Sequence, residues 1–416
     1  MLRMEASLEA VPSRELELLI LATRLQLSQD QEVRMAGLLS EEFNWASLLE
    51  QARPFGMLPM LHHHLTRPGL VEYVPDAVQQ ALAQEYQRTS MKNLRLLGLL
   101  RRILLKARDA GIPLVLLKGA YLAKWVYGDV GLRPMSDLDL FCRKEDEASL
   151  SEILRGMGAF QSDTPGLPDP ALHPVRVAVG EKVGHPSPWW FPEICRVEIH
   201  FHLLARGTVD DTDLLEGLWS GTASQEWDGL EARSLGADHL LIHLAAHLHK
   251  HLAGELFNLY WLADIREVTR SLGATLDRPA LAATARRIGV EQECAMVFGL
   301  LGEAWDAGLA VLDEATSTRR IAAQIIAAQR TLAHGPRGAG LLDYWSIITD
   351  VKHVRGVINK AIYIRELFLP PAWKMAARYN TTNRLLLPFL YLADPFVRLY
   401  AAALGMIHHV QRRLGY

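Results

Sequence analysis

The chain has few cysteines and little net charge. Three cysteines occur among its 416 residues, at positions 142, 195 and 294, and their spacing matches no metal-binding pattern. This usage is typical of a protein in a reducing cytoplasm. The net charge is −3, from 44 basic and 47 acidic residues. A balance so close to neutral gives no whole-chain electrostatic signal for nucleic-acid binding.

Long uninterrupted apolar runs are also missing. The start, Met-Leu-Arg-Met-Glu-Ala, lacks the apolar segment of a secretory signal. The most apolar late stretch, residues 385–404, is interrupted by Pro388, Asp394, Pro395 and Arg398, so no membrane span is expected. Half of the residues are hydrophobic and 22% are charged. We expect a globular cytoplasmic protein, long enough for two or three domains.

Several common catalytic patterns are absent. There is no Gly-x-x-x-x-Gly-Lys-Ser/Thr phosphate loop and no nucleophile elbow. Histidines recur every four residues from 239 to 251 on a predicted helix, and His-x-x-x-His can bind zinc. No glutamate follows the first histidine, so the zinc-protease pattern is missing and packing is favoured over zinc. The histidine triplet at 62–64 is interpreted as an exposed helix end.

Hydrophobic periodicity divides the chain into three regions. Residues 1–110 are predicted to be helical, ending in a long helix over residues 75–110. Residues 111–210 carry short apolar runs at 112–117, at 137–140 and at 194–203, which alternate with short helices. From about residue 210 to 416 the signal is helical again. The pattern predicts an α+β fold, with a small mixed-sheet core flanked by N- and C-terminal helical regions.

The most informative segment contains two carboxylates one residue apart. Strand side chains alternate between faces, so Asp137 and Asp139 point one way while Leu138 and Leu140 point into the core. Two carboxylates on one face repel each other, and a divalent cation such as Mg²⁺ would relieve that repulsion. Taken alone, an Asp-x-Asp pair is also common on solvated strands, and that alternative stays open.

A third acid follows on a later predicted strand. Glu198 and His200 share one face of the segment Arg196-Val197-Glu198-Ile199-His200. If this strand lies beside the Asp-x-Asp strand, Glu198 is a third ligand or a base. Two aspartates and a further acid can hold two metal ions in a phosphoryl-transfer site. Backbone N–H groups at the Gly119 turn can receive a phosphate.

These residues also resemble a known family. The string LLKGAYLAKWVYGDVGLRPMSDLDLF, residues 116–141, is similar to the signature of an uncharacterised bacterial nucleotidyltransferase family within the polymerase-β-type superfamily. The signature's conserved positions are Lys118, Gly119, Arg133, Asp137 and Asp139. The family's later motif, Asp-hydrophobic-His-aromatic, appears as Glu198-Ile199-His200-Phe201, with Glu in place of Asp. The better-known members have Gly-Ser at the turn, whereas this chain has Gly119-Ala120, which lacks the hydroxyl.

The resemblance implies a Mg²⁺-dependent nucleotidyltransferase that moves a nucleotidyl group from a nucleoside triphosphate to an acceptor. Two metal ions are possible, and Mn²⁺ can substitute for Mg²⁺. The implied metal ligands are Asp137, Asp139 and Glu198, and the implied phosphate-binding residues are Lys118, Gly119 and Arg133. Lys118 has the alternative of a strand-end charge that reaches solvent, and Arg133 the alternative of an ion pair with Asp137 or Asp139.

Three further residues are candidates for positions beside the site. They are His200, His247 and Asp264, the last of which could orient His247 from the next helix. A buried His–Asp hydrogen bond that joins two helices is the alternative. The alternative functions are glycosyl or phosphoryl transfer from a nucleotide donor such as a sugar nucleotide, a catalytically decayed nucleotide- or partner-binding module, and a toxin–antitoxin component.

Overall fold

The computed structural model describes residues 12–39, 43–161, 188–203, 212–252, 258–302, 313–334, 386, 388–394 and 396. The helices are α1 Arg14–Leu21, α2 Gln29–Leu38, α3 Trp45–Ala52, α4 Leu58–Leu65, α5 Asp76–Asp109, α6 Gly119–Tyr121, α7 Glu147–Gly156, α8 Thr212–Ser220, α9 Ala237–Leu252, α10 Tyr260–Leu272, α11 Arg278–Ile288, α12 Glu291–Leu301 and α13 Glu314–His334. The strands are β1 Val115–Leu116, β2 Asp137–Phe141, β3 Phe160–Gln161, β4 Trp189–Phe191, β5 Cys195–His200, β6 Ala223–Trp227 and β7 Leu230–Ser234.

The strands form one mixed sheet in the order β3-β4-β5-β2-β1-β7-β6. The central β2 pairs in parallel with β5 and antiparallel with β1. β1 in turn pairs in parallel with β7, and β6–β7 and β4–β5 are antiparallel pairs. With helices around this sheet, the predicted α+β fold is confirmed. The domain boundaries at residues 110 and 210 remain a prediction.

The two faces of the sheet pack into different hydrophobic clusters. On one face, Leu116, Leu138 and Leu140 join the cluster that includes α5 and α7. On the other face, Val115 and Phe141 join a cluster built by the first four helices together with the helices that follow β7. This division follows from the alternation of side chains along each strand. Asp139 belongs to the second face, so the helical regions surround its carboxylate.

The long helix α5 positions the segment that leads into β2. Asn93 on α5 is fully buried, and its side-chain amide donates to the backbone carbonyls of Val130, at 2.5 Å, and Arg133, at 2.8 Å. Its side-chain oxygen accepts from the backbone N–H of Met135 at 3.3 Å. A buried amide that satisfies three backbone groups at once holds their spacing. The segment that leads into β2 is therefore positioned by a helical residue, Asn93, which precedes Met135 by 42 residues.

Two sequence expectations about strands need correction. The region after residue 210 is not all helical, because β6 and β7 form a hairpin that extends the sheet. Its turn residues Asp228 and Gly229 both have positive φ, 50° and 77°, as the favoured two-residue hairpin turn requires. The strand expected at 112–117 is paired only over Val115–Leu116. Residues 162–187 and most residues beyond 334 lie outside the described part.

The positions of the helices agree more closely with the sequence predictions, but the burial of the histidine triplet does not. The long helix predicted over 75–110 is observed as α5, Asp76–Asp109. The histidine triplet on α4 is not an exposed end as a whole, since His64 is fully buried and its Nε2–H donates to the carbonyl of Arg24. Within the described residues, no helix combines the length and apolarity that crossing a membrane requires.

Candidate active site

The register of β2 and β5 brings the predicted acids together. Asp139 is paired with Glu198, and Asp137 with Arg196. Because paired residues in adjacent strands point to the same face, Asp139, Glu198 and His200 project from one side of the sheet. The expectation that the two strands lie side by side is confirmed. The acids approach each other through pairing of strands that are distant in sequence.

Asp139 is the most buried acid of the site. Its residue exposure is 8%, and its Oδ1 lies 3.2 Å from Lys118 Nζ and 2.9 Å from His200 Nε2. Burial by itself would raise the pKa of Asp139. The Lys118 ammonium and the His200 hydrogen bond outweigh burial and hold the pKa of Asp139 well below its ordinary value. Asp139 is therefore ionised at neutral pH and able to bind a cation.

Glu198 has a different environment from Asp139. Burial and the neighbouring charge of Asp139 raise the pKa of Glu198, against the opposing charge of Arg196. Arg196 Nη2 lies 2.9 Å from Glu198 Oε1 and 2.6 Å from Asp137 Oδ2. One guanidinium thus bridges two of the three acids.

One group of side chains meets the spacing of a metal site. The ligand atoms of Asp139, Glu198 and His200 all lie within 4.8 Å of one another, which within the described residues is the one group of this kind. Two carboxylates and an imidazole are a donor set that fits a divalent cation, with carboxylates suited to Mg²⁺ and Mn²⁺. His200 would bind through an unprotonated nitrogen. The predicted role of Asp137 as a ligand stays a prediction, because Asp137 lies outside this group.

Arg133 is placed away from the carboxylates of β2. Its Nε and Nη2 donate to Oδ1 and Oδ2 of Asp264 at 3.0 and 2.8 Å, and Tyr127 donates to the same carboxylate at 3.0 Å. The side chains of Arg133 and Asp264 are 5% and 0% exposed. The alternative of an ion pair between Arg133 and Asp137 or Asp139 is therefore wrong. Asp264 binds Arg133 and Tyr127, and no hydrogen bond between Asp264 and His247 is found among the described residues, so a role of Asp264 in orienting His247 stays a prediction. A phosphate contact for Arg133 stays a prediction.

Gly119 lies beside the Arg133 side chain. A Cβ at this position would lie 2.9 Å from Arg133 Nη1 and 3.5 Å from Met135. The absence of a side chain here therefore has a packing reason, independent of any phosphate contact. The predicted phosphate-binding role of Gly119 is untested by this observation and remains a prediction.

The histidine stripe on α9 lies near the site but forms no metal group among the described residues. The rings of His247 and His251 pack against Trp261, with centroids 4.7 and 4.8 Å from the indole. Burial and the nearby Lys118 charge hold the pKa of His247 well below its ordinary value. His247 is thus a neutral aromatic contact close to Lys118. Packing, which the sequence favoured over zinc, is observed for both rings.

Sequence reasoning missed two residues beside the site. Arg196 shares the face of Glu198, two residues away, so period-2 alternation would have identified it. The other residue is His243, whose Nδ1–H donates to the carbonyl of Leu203 at 2.8 Å. Its Nε2 is buried without a hydrogen-bond partner among the described residues. Burial, then the charges of Lys118 and His200, lower the pKa of His243 to about 3. Only folding places this histidine near the strands.

With this geometry in place, comparison with known proteins identifies the family. A model of the family described as "Uncharacterised nucleotidyltransferase" matches residues 41–306, more than half of the chain. The chain belongs to this family. It is therefore a transferase of the nucleotidyltransferase type. The match extends from α3 through α12 and includes the whole sheet. No curated protein and no solved structure matches the chain.

Proposed function

We propose that this nucleotidyltransferase uses a divalent cation, Mg²⁺ or Mn²⁺, to transfer the nucleotidyl group of a nucleoside triphosphate to a hydroxyl-bearing acceptor. The observation that carries the proposal is the convergence of Asp139, Glu198 and His200 within ligand distance of one another. The Lys118 ammonium, 3.2 Å from Asp139, adds a positive charge that a phosphate would meet. The bacterial, cytoplasmic setting and the polymerase-β-type ancestry belong to the same proposal.

The metal-binding residues in this account are Asp139, Glu198 and His200, with Asp137 as a further ligand once Arg196 moves away. A bound divalent cation supplies charge stabilisation at the reacting phosphate and lowers the pKa of the attacking hydroxyl. Lys118 binds a phosphate oxygen, and backbone N–H groups at Gly119 receive another. Two ions can be held if Asp137 joins the set.

Glu198 has a second possible role, as the base that accepts the proton when it is not itself bound to the cation. Its pKa is raised by burial and by Asp139, whereas the pKa of Asp139 is lowered, so Glu198 is the more basic of the two carboxylates. The acceptor oxygen forms a bond to the α-phosphorus, and the bond to the leaving pyrophosphate breaks. The acceptor's proton passes to a carboxylate oxygen of Glu198.

A second function has one observation in its favour. Asp137, Asp139 and Glu198 already have cationic partners within the chain, in Lys118 and Arg196. A site whose charges are compensated in this way also suits a module that binds a nucleotide without turning it over. The presence of Glu and Ala120, where the family has Asp and its better-known relatives Ser, points in the same direction.

The test is a calorimetric screen of ATP, GTP, CTP, UTP and sugar nucleotides with Mg²⁺ or Mn²⁺, followed by product analysis. Nucleotidyl transfer releases pyrophosphate, phosphoryl transfer releases a nucleoside diphosphate from a triphosphate, and glycosyl transfer releases one from a sugar nucleotide. Binding without release identifies the binding module. If no nucleotide binds in the presence of either cation, the proposed function is wrong.

A further inference from the structure

Arg196 shares its guanidinium between two acids that the proposed function needs for other purposes. It lies on β5 directly opposite Asp137 on β2. Its Nη2 is 2.6 Å from Asp137 Oδ2 and 2.9 Å from Glu198 Oε1. Glu198 belongs to the group of possible metal ligands, and its other oxygen, Oε2, lies 3.7 Å from His200 Nε2. A cation on Glu198 and the guanidinium of Arg196 therefore compete for the same carboxylate.

Two of the nitrogen atoms of the Arg196 guanidinium, Nε and Nη1, are available to bind a ligand. Both contacts run through Nη2, and none of the hydrogen bonds found among the described residues uses its Nε or Nη1. The side chain is 38% exposed, compared with 5% for the Arg133 side chain in its pair with Asp264. An exposed ion pair is weak and exchanges partners easily, whereas a buried one does not. Arg196 can therefore move towards solvent, and the metal ion that displaces it would compensate the carboxylate of Glu198.

Phosphate is the partner that this geometry favours after such a move. The planar guanidinium fork matches two oxygens of a phosphate, and its charge persists at any accessible pH. A metal ion bound by Glu198 would repel the guanidinium and bring nucleotide phosphates next to it. Arg196 would then neutralise the carboxylate charges before the nucleotide binds and the phosphate charges after it binds.

We propose that Arg196 is a phosphate-binding residue of this site, which exchanges the carboxylates of Asp137 and Glu198 for the phosphates of the nucleotide when the metal ion binds. This inference rests on the proposed function. Removal of the guanidinium is expected to change the two affinities in opposite directions, because metal binding becomes stronger and phosphate binding becomes weaker. A merely structural arginine would move neither affinity, or both in the same direction.

The experiment measures two affinities by calorimetry on the full chain, first for Mn²⁺ alone and then for inorganic triphosphate at saturating Mn²⁺. Arg196→Met is expected to bind Mn²⁺ about threefold more tightly, the size of an exposed ion pair. It is expected to bind triphosphate about tenfold more weakly, the size of a charge-assisted contact. Arg196→Lys keeps the charge without the fork, so its Mn²⁺ affinity stays near wild type while its triphosphate affinity falls.

The matched control is Arg233→Met on β7. Arg233 is 40% exposed and pairs at 3.1 Å with Glu231, two residues away on its own strand, as Arg196 pairs with Glu198. β7 is separated from β5 by two strands, so both affinities should stay at wild-type values. Melting temperatures establish that each variant is folded, and Arg196→Lys carries the test if Arg196→Met is not.

The outcomes separate this inference from the proposed function. If the wild type binds Mn²⁺ and triphosphate, Asp139→Asn loses Mn²⁺, and both Arg196 variants bind triphosphate as the wild type does, Arg196 is not a phosphate-binding residue. A loss of both affinities in Arg196→Met would also overturn the exchange. If the wild type itself binds neither Mn²⁺ nor triphosphate, the proposed function fails and the inference fails with it.

Discussion

Two of the arginines that contact carboxylates, Arg133 and Arg196, do so in very different surroundings. Arg133 is 5% exposed and binds both oxygens of the fully buried Asp264. Arg196 is 38% exposed and bridges Asp137 and Glu198, whose side chains are 23% and 26% exposed. The first pair joins the segment before β2 to α10. The second lies at the carboxylates where a metal ion and phosphates are proposed to bind.

The same arginine–carboxylate contact has a different effect on stability when it is buried and when it is exposed. A buried ion pair is costly to form, and removing one partner leaves an uncompensated charge that costs about 3–5 kcal/mol. An exposed pair contributes about 0–1 kcal/mol and can be replaced by a ligand. The Arg133 pair is thus suited to stabilise the packing of α10 against the segment before β2, whereas the Arg196 pair can be replaced by a ligand.

The largest expected effect comes from the site itself. Asp139→Asn removes the most buried acid of the metal group while preserving its shape. We expect loss of Mn²⁺ binding and a decrease in nucleotidyl transfer of about 1,000-fold, roughly 4 kcal/mol of transition-state stabilisation. Pyrophosphate release and calorimetry measure the two losses. Transfer at the wild-type rate in this variant would show that the reaction does not pass through Asp139.

Breaking the buried pair should affect stability instead. Asp264→Ala leaves the Arg133 guanidinium buried and unpaired, and we expect the free energy of unfolding to fall by about 3–5 kcal/mol in urea titrations. The double variant Arg133→Met with Asp264→Leu replaces the pair with apolar side chains and should recover most of that loss. Equal stability of Asp264→Ala and the wild type would contradict a structural role for the pair.

A buried group without a counter-charge extends the comparison. Burial lowers the pKa of His64 to about 3, so the folded chain holds this histidine neutral while the unfolded chain binds a proton near pH 6.5. Its contribution to stability is therefore complete above pH 6.5 and is lost as the pH falls from 6.5 towards 3, by about 2 kcal/mol at pH 5.

His64→Gln keeps a donor for the Arg24 carbonyl and cannot be protonated. In urea titrations between pH 7 and pH 5, its stability should decrease less than that of the wild type by about 2 kcal/mol. An identical decrease in both chains would mean that His64 is not the group that titrates.

The smallest effect is expected at Gly119. A Cβ there would lie 2.9 Å from Arg133 Nη1, and Asp264 fixes this guanidinium through its Nε and Nη2, so Gly119→Ala should cost about 1–2 kcal/mol. Gly98→Ala on α5 is the control, because its Cβ meets no atom within 4 Å and alanine favours the helix. That variant should gain up to about 1 kcal/mol. A loss at Gly98 equal to that at Gly119 would remove the crowding argument.

How much the sequence predicts depends on how local the signal is. Period-2 alternation placed Asp137 and Asp139 on one face, and the motif order predicted that Glu198 would lie beside them. The Asp228-Gly229 turn was an available hairpin signal that a general helical pattern obscured. The Arg133–Asp264 pair spans 131 residues, and its formation depends on how α10 packs, which no local pattern contains. The same is true of His243.

Asp139, Glu198 and His200 are proposed to hold a divalent cation. Anomalous diffraction from crystals of the full chain grown with Mn²⁺ would locate that cation directly. We expect a manganese peak about 2.0–2.3 Å from a carboxylate oxygen of Asp139, an oxygen of Glu198 and a ring nitrogen of His200. A peak elsewhere, or no peak at a manganese concentration that supports nucleotidyl transfer, would contradict this proposal.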